Sequence, residues 1–156
     1  MKQALLFLSV FLFFSCHSQV EKKSLDKDWK KNLLHEAIEA RKLAYCPYSH
    51  YQVGAALLTE EGKIIRGTNV ENASYGMTNC AERTAVFTAV ASGHQKFQAI
   101  AVCTKTIGSP CGACRQVLNE FNPAMIVLLT NEDGTQVKET TLSELLPNAF
   151  GPKNLE

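Results

Sequence analysis

Lysine and arginine nowhere gather into a run longer than two residues, and 16 basic side chains face 15 acidic ones for a formal net charge of +1. A protein that grips a nucleic-acid backbone needs a basic stripe, so that class of partner is excluded. A small, near-neutral ligand suits this balance better. No internal repeat and no low-complexity stretch occurs, which removes solenoids and disordered arrays. No apolar run is long enough to cross a bilayer as a stable helix. What remains is an ordinary globular composition, with 46% hydrophobic and 20% charged residues in a chain of 156. That length suits one domain able to bury a real core.

The first residues stand apart from the rest. Lys2 is followed by an apolar stretch over 4–14, then Ser15 and Cys16. A basic start and a short apolar region read as an export leader over 1–15. Its end, Phe13-Phe14-Ser15-Cys16, resembles a bacterial lipoprotein cleavage site, with a small residue before a cysteine that would be acylated. The expectation is an exported protein of the periplasm or cell envelope, attached to a membrane through lipidated Cys16. Residues 16–26 are polar and would serve as a tether. The folded domain is expected over 27–156. The alternative is a cytoplasmic product.

Apolar positions Trp29, Leu33, Leu34, Ala37, Ile38 and Ala44 recur at helical spacing, predicting a helix over 26–45 capped by Asp26 and ended by Cys46-Pro47. Apolar runs at 51–59 and 63–69 flank the turn Glu60-Glu61-Gly62 and read as a hairpin. A helix over 81–92 stops at Gly93, and a buried strand follows over 98–104. The pattern then repeats, with a helix over 111–121 and a strand over 125–130. The turn Asp133-Gly134 leads into a strand over 136–140, and a short helix over 142–146 ends at Pro147. A hairpin followed by helix–strand units argues for an α/β sheet with helices on its faces.

The cysteines carry the chemistry. Cys16 belongs to the leader, Cys103 sits inside a strand as a small hydrophobe, and Cys46 adjoins Pro47 with no evident partner. Cys111-Gly112-Ala113-Cys114 places two thiols at the mouth of a predicted helix. That spacing suits one metal ion, but also a redox pair or a disulfide. Cys80 shifts the balance. It opens the other predicted helix, and Glu82 follows two residues later. In mid-helix those side chains would diverge, whereas at the first turn both can reach the space beyond the helix end. Three thiolates from two helix N-termini leave the fourth tetrahedral position open, the mark of a catalytic rather than a structural zinc. Neither Cys46 nor Cys103 has the spacing of a fourth ligand.

Zinc-dependent base and nucleoside deaminases are known to pair a Cys- or His-x-Glu with a Pro-Cys-x-x-Cys, the glutamate acting as acid and base. This chain reads Cys80-Ala81-Glu82 and Pro110-Cys111-Gly112-Ala113-Cys114. It also reads Tyr48-Ser49-His50-Tyr51-Gln52-Val53-Gly54-Ala55-Ala56 and Asn69-Val70-Glu71-Asn72-Ala73. Those blocks resemble the small, all-cysteine, homotetrameric cytidine deaminases, over residues 33–152. The resemblance implies a three-layer α/β/α fold with a five-stranded mixed sheet, a homotetramer, and hydrolysis of cytidine and deoxycytidine to uridine and deoxyuridine in pyrimidine salvage.

By the same resemblance, Cys80, Cys111 and Cys114 would hold Zn2+, Glu82 would move the protons, and Arg83 would donate hydrogen bonds to the thiolates. Asn69 and Glu71 would hold the ribose hydroxyls. Tyr51 stands where the family usually has phenylalanine against the pyrimidine, and Ala81 would offer its backbone N–H to the base carbonyl. Phe150 would reach a neighbouring subunit's site. Two rivals remain: a deaminase of another cytosine nucleoside such as blasticidin S, and an exported, non-catalytic binding protein with Cys111 and Cys114 oxidised.

Overall fold

The computed structural model describes residues 27–155, so the expected leader, the tether and Cys16 lie outside the described residues. Helix α1 (Trp29–Arg41) is followed by strands β1 (Gly54–Thr59) and β2 (Ile64–Thr68). Helix α2 (Ala81–Ala91) leads to β3 (Phe97–Cys103), and α3 (Gly112–Phe121) to β4 (Ile126–Thr130). Strand β5 (Val137–Thr141) and the short α4 (Leu142–Leu145) complete the set, with 3-10 turns at Tyr75–Met77 and Pro152–Asn154. The expected helix–strand inventory is borne out.

The five strands form one sheet in the order β2-β1-β3-β4-β5. Pairing is antiparallel throughout except for β3 with β4, which run parallel across α3. The sheet is therefore mixed, as expected. Alternation along the strands builds two cores. Ala55, Leu57, Ile100, Val102, Val127 and Leu129 face α2 and α3, while Ala56, Leu58, Ala99, Ala101, Cys103 and Leu128 face α1. Both faces of the central strands are covered, which gives three layers.

Two glycines let the helices lie directly on the sheet. A Cβ at Gly54 would stand 2.2 Å from the Ala37 carbonyl oxygen and the Arg41 nitrogen of α1. At Gly67 it would stand 2.3 Å from the Ala81 oxygen and 2.4 Å from the Ala85 nitrogen of α2. The second contact seats the helix end that bears Cys80.

Some boundaries differ from the expectation. Helix α1 begins at Trp29 with Asp28, not Asp26, at the cap position, and it ends at Arg41 rather than near Tyr45. Tyr45 is taken by another partner: its N–H donates to the Asn69 carbonyl at 3.0 Å, and its carbonyl accepts from Glu71 at 2.8 Å. Strand β1 starts at Gly54 rather than Tyr51, because the Asn69 side chain claims the backbone of that stretch. Its Oδ1 accepts from the Val53 N–H and its Nδ2 donates to the Tyr51 carbonyl, both at 2.9 Å.

Candidate active site

The chain returns after β2 through a backbone pair, with Val70 and Asn79 exchanging N–H···O bonds of 3.0 Å. That fold-back delivers Cys80 to the N-cap of α2. Cys111 takes the N-cap of α3, one turn before Cys114. The segment in front of it is clamped by Arg115, which donates to the Pro110 carbonyl (2.7 Å), the Ser109 hydroxyl (2.9 Å) and the Leu145 carbonyl (2.7 Å). Two helix N-termini thus converge. The Cys80 and Cys111 sulfurs are 3.9 Å apart, those of Cys111 and Cys114 3.6 Å, and all three lie within 4.8 Å of one another. All three are free thiols.

This trio fits zinc. Tetrahedral coordination at the usual Zn–S length of about 2.3 Å requires sulfurs about 3.8 Å apart. The charges point the same way. The Cys80 thiol is pulled down to about 5 by its hydrogen bond with Cys114 and by the Arg83 guanidinium. Cys114 is pushed up, by its bond to Cys80 and by burial. Three thiolates cannot share this space without a cation to hold them. Arg83 Nη2 lies 3.7 Å from the Cys80 sulfur and 3.4 Å from the Thr78 carbonyl. Its buried Nε–H has no hydrogen-bond partner among the described residues. Glu82 is only 4% exposed, and burial, followed by the nearby Cys80 charge, raises its carboxyl above the ordinary range. A carboxyl raised in this way is better suited than an ordinary one to both accept and give a proton.

Cys80 and Cys111 open onto a cavity of about 340 Å³. Tyr51, Asn69, Glu71, Cys80, Glu82 and Cys111 line it, so most of the expected site comes together in one place. Asn69 is nearly buried, with its side chain spread between Tyr51 and Val53. Glu71 accepts from the Tyr48 N–H (2.9 Å), the Ser49 N–H (3.1 Å) and the Ser49 hydroxyl. These bonds, with burial opposing them, hold its carboxylate below the usual range.

Four expected residues are not in the lining: Cys114 and Arg83, which sit behind it against the other sulfurs, and Ala81 and Phe150. Ala81 is fully buried in the first turn of α2. Phe150 is 58% exposed and lies away from its own chain's cavity, its carbonyl held by Gln116 and Asn119. Sequence reasoning missed Ser49, Val53, Thr78, Asn79, Val102, Thr104, Gly108 and Ser109, all in the wall. Ser109, next to Pro110-Cys111, was the one best signalled by the motif.

A family model described as the cytidine and deoxycytidylate deaminase zinc-binding region matches residues 27–130. The chain is 54% identical over 128 residues to the cytidine deaminase of Sporosarcina psychrophila, covering 80% of this chain and 93% of that one. It is equally identical over 129 residues to the cytidine deaminase of Halalkalibacterium halodurans, covering 81% and 97%. Among solved structures, the cytidine deaminase of Burkholderia pseudomallei superposes with a TM-score of 0.73 at 53% identity, covering 77% of this chain and 98% of that one. That of Mycobacterium tuberculosis gives 0.67 at 39% identity, covering 81% and 99%.

Proposed function

This chain belongs to the cytidine deaminase family, and from that membership we propose how its residues carry out the reaction: zinc-dependent hydrolysis of cytidine and deoxycytidine to uridine and deoxyuridine, with release of ammonia. The observation that carries the reading is the buried Glu82 carboxyl beside three clustered thiols at the end of a nucleoside-sized cavity. Cys80, Cys111 and Cys114 hold the zinc ion. When bound, zinc supplies Lewis acidity that lowers the pKa of a water ligand to about 7 in favourable sites.

Glu82 does the proton work. The water oxygen adds to C4 of the base; Glu82 takes the first water proton and places it on N3. It then takes the second and hands it to the exocyclic amino group, which leaves as ammonia. Each transfer reverses the state left by the previous one, so one carboxyl serves both. Arg83 draws charge off the Cys80 thiolate through its guanidinium. The positive ends of α2 and α3 do the same for the sulfurs at their caps.

The far end of the cavity suits the sugar. A carboxylate offers about four lone-pair sites. Glu71 spends three on the loop at Tyr48 and Ser49, which leaves one for a ribose hydroxyl. Asn69 keeps one N–H of its amide beyond the bond to the Tyr51 carbonyl. Tyr51 packs on the pyrimidine, and the Ala81 N–H at the helix mouth serves the base carbonyl. The test is cytidine turnover, followed by loss of ultraviolet absorbance, for protein beginning at His17. Turnover that collapses when the ribose hydroxyls are removed supports the reading. Turnover indifferent to them contradicts the ribose assignment and favours another cytosine nucleoside.

The chain assembles as a homotetramer in which Phe150 reaches a neighbour's site. What supports this is the exposed apolar surface of the segments that supply Ser49, Glu71 and Thr78 to the cavity: Tyr45, Tyr48, Val70, Tyr75 and Met77 are each at least 44% exposed, and the rings of Tyr48 and Tyr75 lie 6.0 Å apart. Monomers rarely leave such a cluster open to water. Sedimentation at the mass of one chain would contradict it. The leader over 1–15 and Cys16 carry the further reading of an exported, lipid-anchored enzyme. Fatty-acid label absent from Cys16 in the membrane fraction would overturn that.

A further inference from the structure

The hydroxyl of Tyr51 has a defined seat at the cavity. It reaches from the 48–53 wall of the cavity to the 104–110 wall, meeting Thr106 Oγ1 at 3.4 Å. It also comes down on Gly108. A Cβ at Gly108 would stand 3.3 Å from the Tyr51 hydroxyl oxygen, 3.4 Å from Thr104 Oγ1 and 3.6 Å from Thr104 Cγ2. The two threonine separations are ordinary van der Waals contacts, and only the tyrosine contact is tight.

Backbone freedom does not explain the glycine. Gly108 is not among the residues with positive φ; the left-handed turn of this loop falls on Ile107, at φ 55°. The Gly108 N–H donates to Thr104 Oγ1 at 2.6 Å, which fixes the loop without any special demand on residue 108. What the missing side chain supplies is room, and the Tyr51 hydroxyl fills it.

We propose that Gly108 and the Tyr51 hydroxyl form a space-sharing pair that positions the tyrosine ring against the bound nucleoside, which makes Gly108 a positioning residue for substrate binding. This rests on the functional reading above. A methyl group at residue 108 forces the tyrosine hydroxyl to give way by a few tenths of an ångström, and removing the hydroxyl relieves that contact.

The test is a double-mutant cycle on zinc-loaded protein: the parent, Gly108→Ala, Tyr51→Phe and the two together. In the parent, Gly108→Ala raises the KM for cytidine about fivefold or more with kcat within about twofold, the size expected of modest overpacking. In the Tyr51→Phe background the same substitution changes KM by less than about twofold, since the coupled partner is gone. An equal effect in both backgrounds, nil included, overturns the pair. So does a loss confined to kcat, which would place the effect on the neighbouring Cys111. Thermal midpoints of the same four proteins read the packing without substrate, and the Gly108→Ala penalty should shrink in the Tyr51→Phe background. If the parent fails to turn over cytidine, the functional reading falls while this thermal cycle still decides the pair, equal penalties counting against it.

Discussion

Three donors from one loop converge on the Glu71 carboxylate, and the Ser49 hydroxyl contributes most to holding it ionised below its ordinary value of 4.5. His50 adds a smaller push in the same direction. A depressed carboxyl makes its contribution above the ordinary pKa and loses it as pH falls through the folded one. The acid limb of kcat/KM that reports Glu71 therefore lies below 4.5 in the parent. Ser49→Ala removes the largest stabiliser and moves that limb to higher pH, which a pH profile from acid to neutral reads directly. A limb that stays in place would remove Glu71 from the binding of the sugar. Legibility at this scale followed chemical rarity. Cys80, Glu82, Cys111 and Cys114 stand out because few roles need those side chains at that spacing. Ser49, Thr104 and Gly108 are common residues whose place in the wall depends on contacts between separated segments: Ser49 meets Glu71 at a separation of 22 residues, and Tyr51 meets Thr106 at 55.

Helix α2 carries Cys80, Glu82 and Arg83, and its seat on the sheet is a backbone contact at Gly67. Gly67→Ala drives a methyl into the Ala81 carbonyl and the Ala85 nitrogen, neither of which can swing aside as a side chain can. Overpacking of this kind costs about 1–3 kcal/mol, sometimes more. The expected result is a lower thermal midpoint together with weaker retention of zinc against a chelator. An exposed glycine such as Gly76, with open space around it, should tolerate the same change. A Gly67→Ala protein with parental midpoint and metal retention would contradict the account of how α2 is seated. The element order could be read from periodicity because both cores alternate cleanly along β1, β3 and β4. The misplaced ends of α1 and β1 were not legible, since both are set by residues 69–71 pairing back on 45–53. No local pattern announces a long-range pairing of that sort.

Across the whole molecule, two helix ends, a mixed sheet and one cavity serve a single arrangement of three sulfurs and a carboxyl. The resemblance to cytidine deaminases supplied the three-layer architecture that periodicity alone left open, and the five-stranded mixed sheet agrees with it. Zinc held by the three sulfurs would stabilise the folded state, because an ion that binds only that state does so by mass action. The central claim separates metal holding by the three cysteines from proton transfer by Glu82. The direct measurement is zinc content and cytidine turnover of the Glu82→Ala protein beside the parent. The account predicts about one zinc per chain in both and turnover lost by a factor of about a hundred or more in the variant. Substantial turnover in Glu82→Ala with its zinc in place would contradict it.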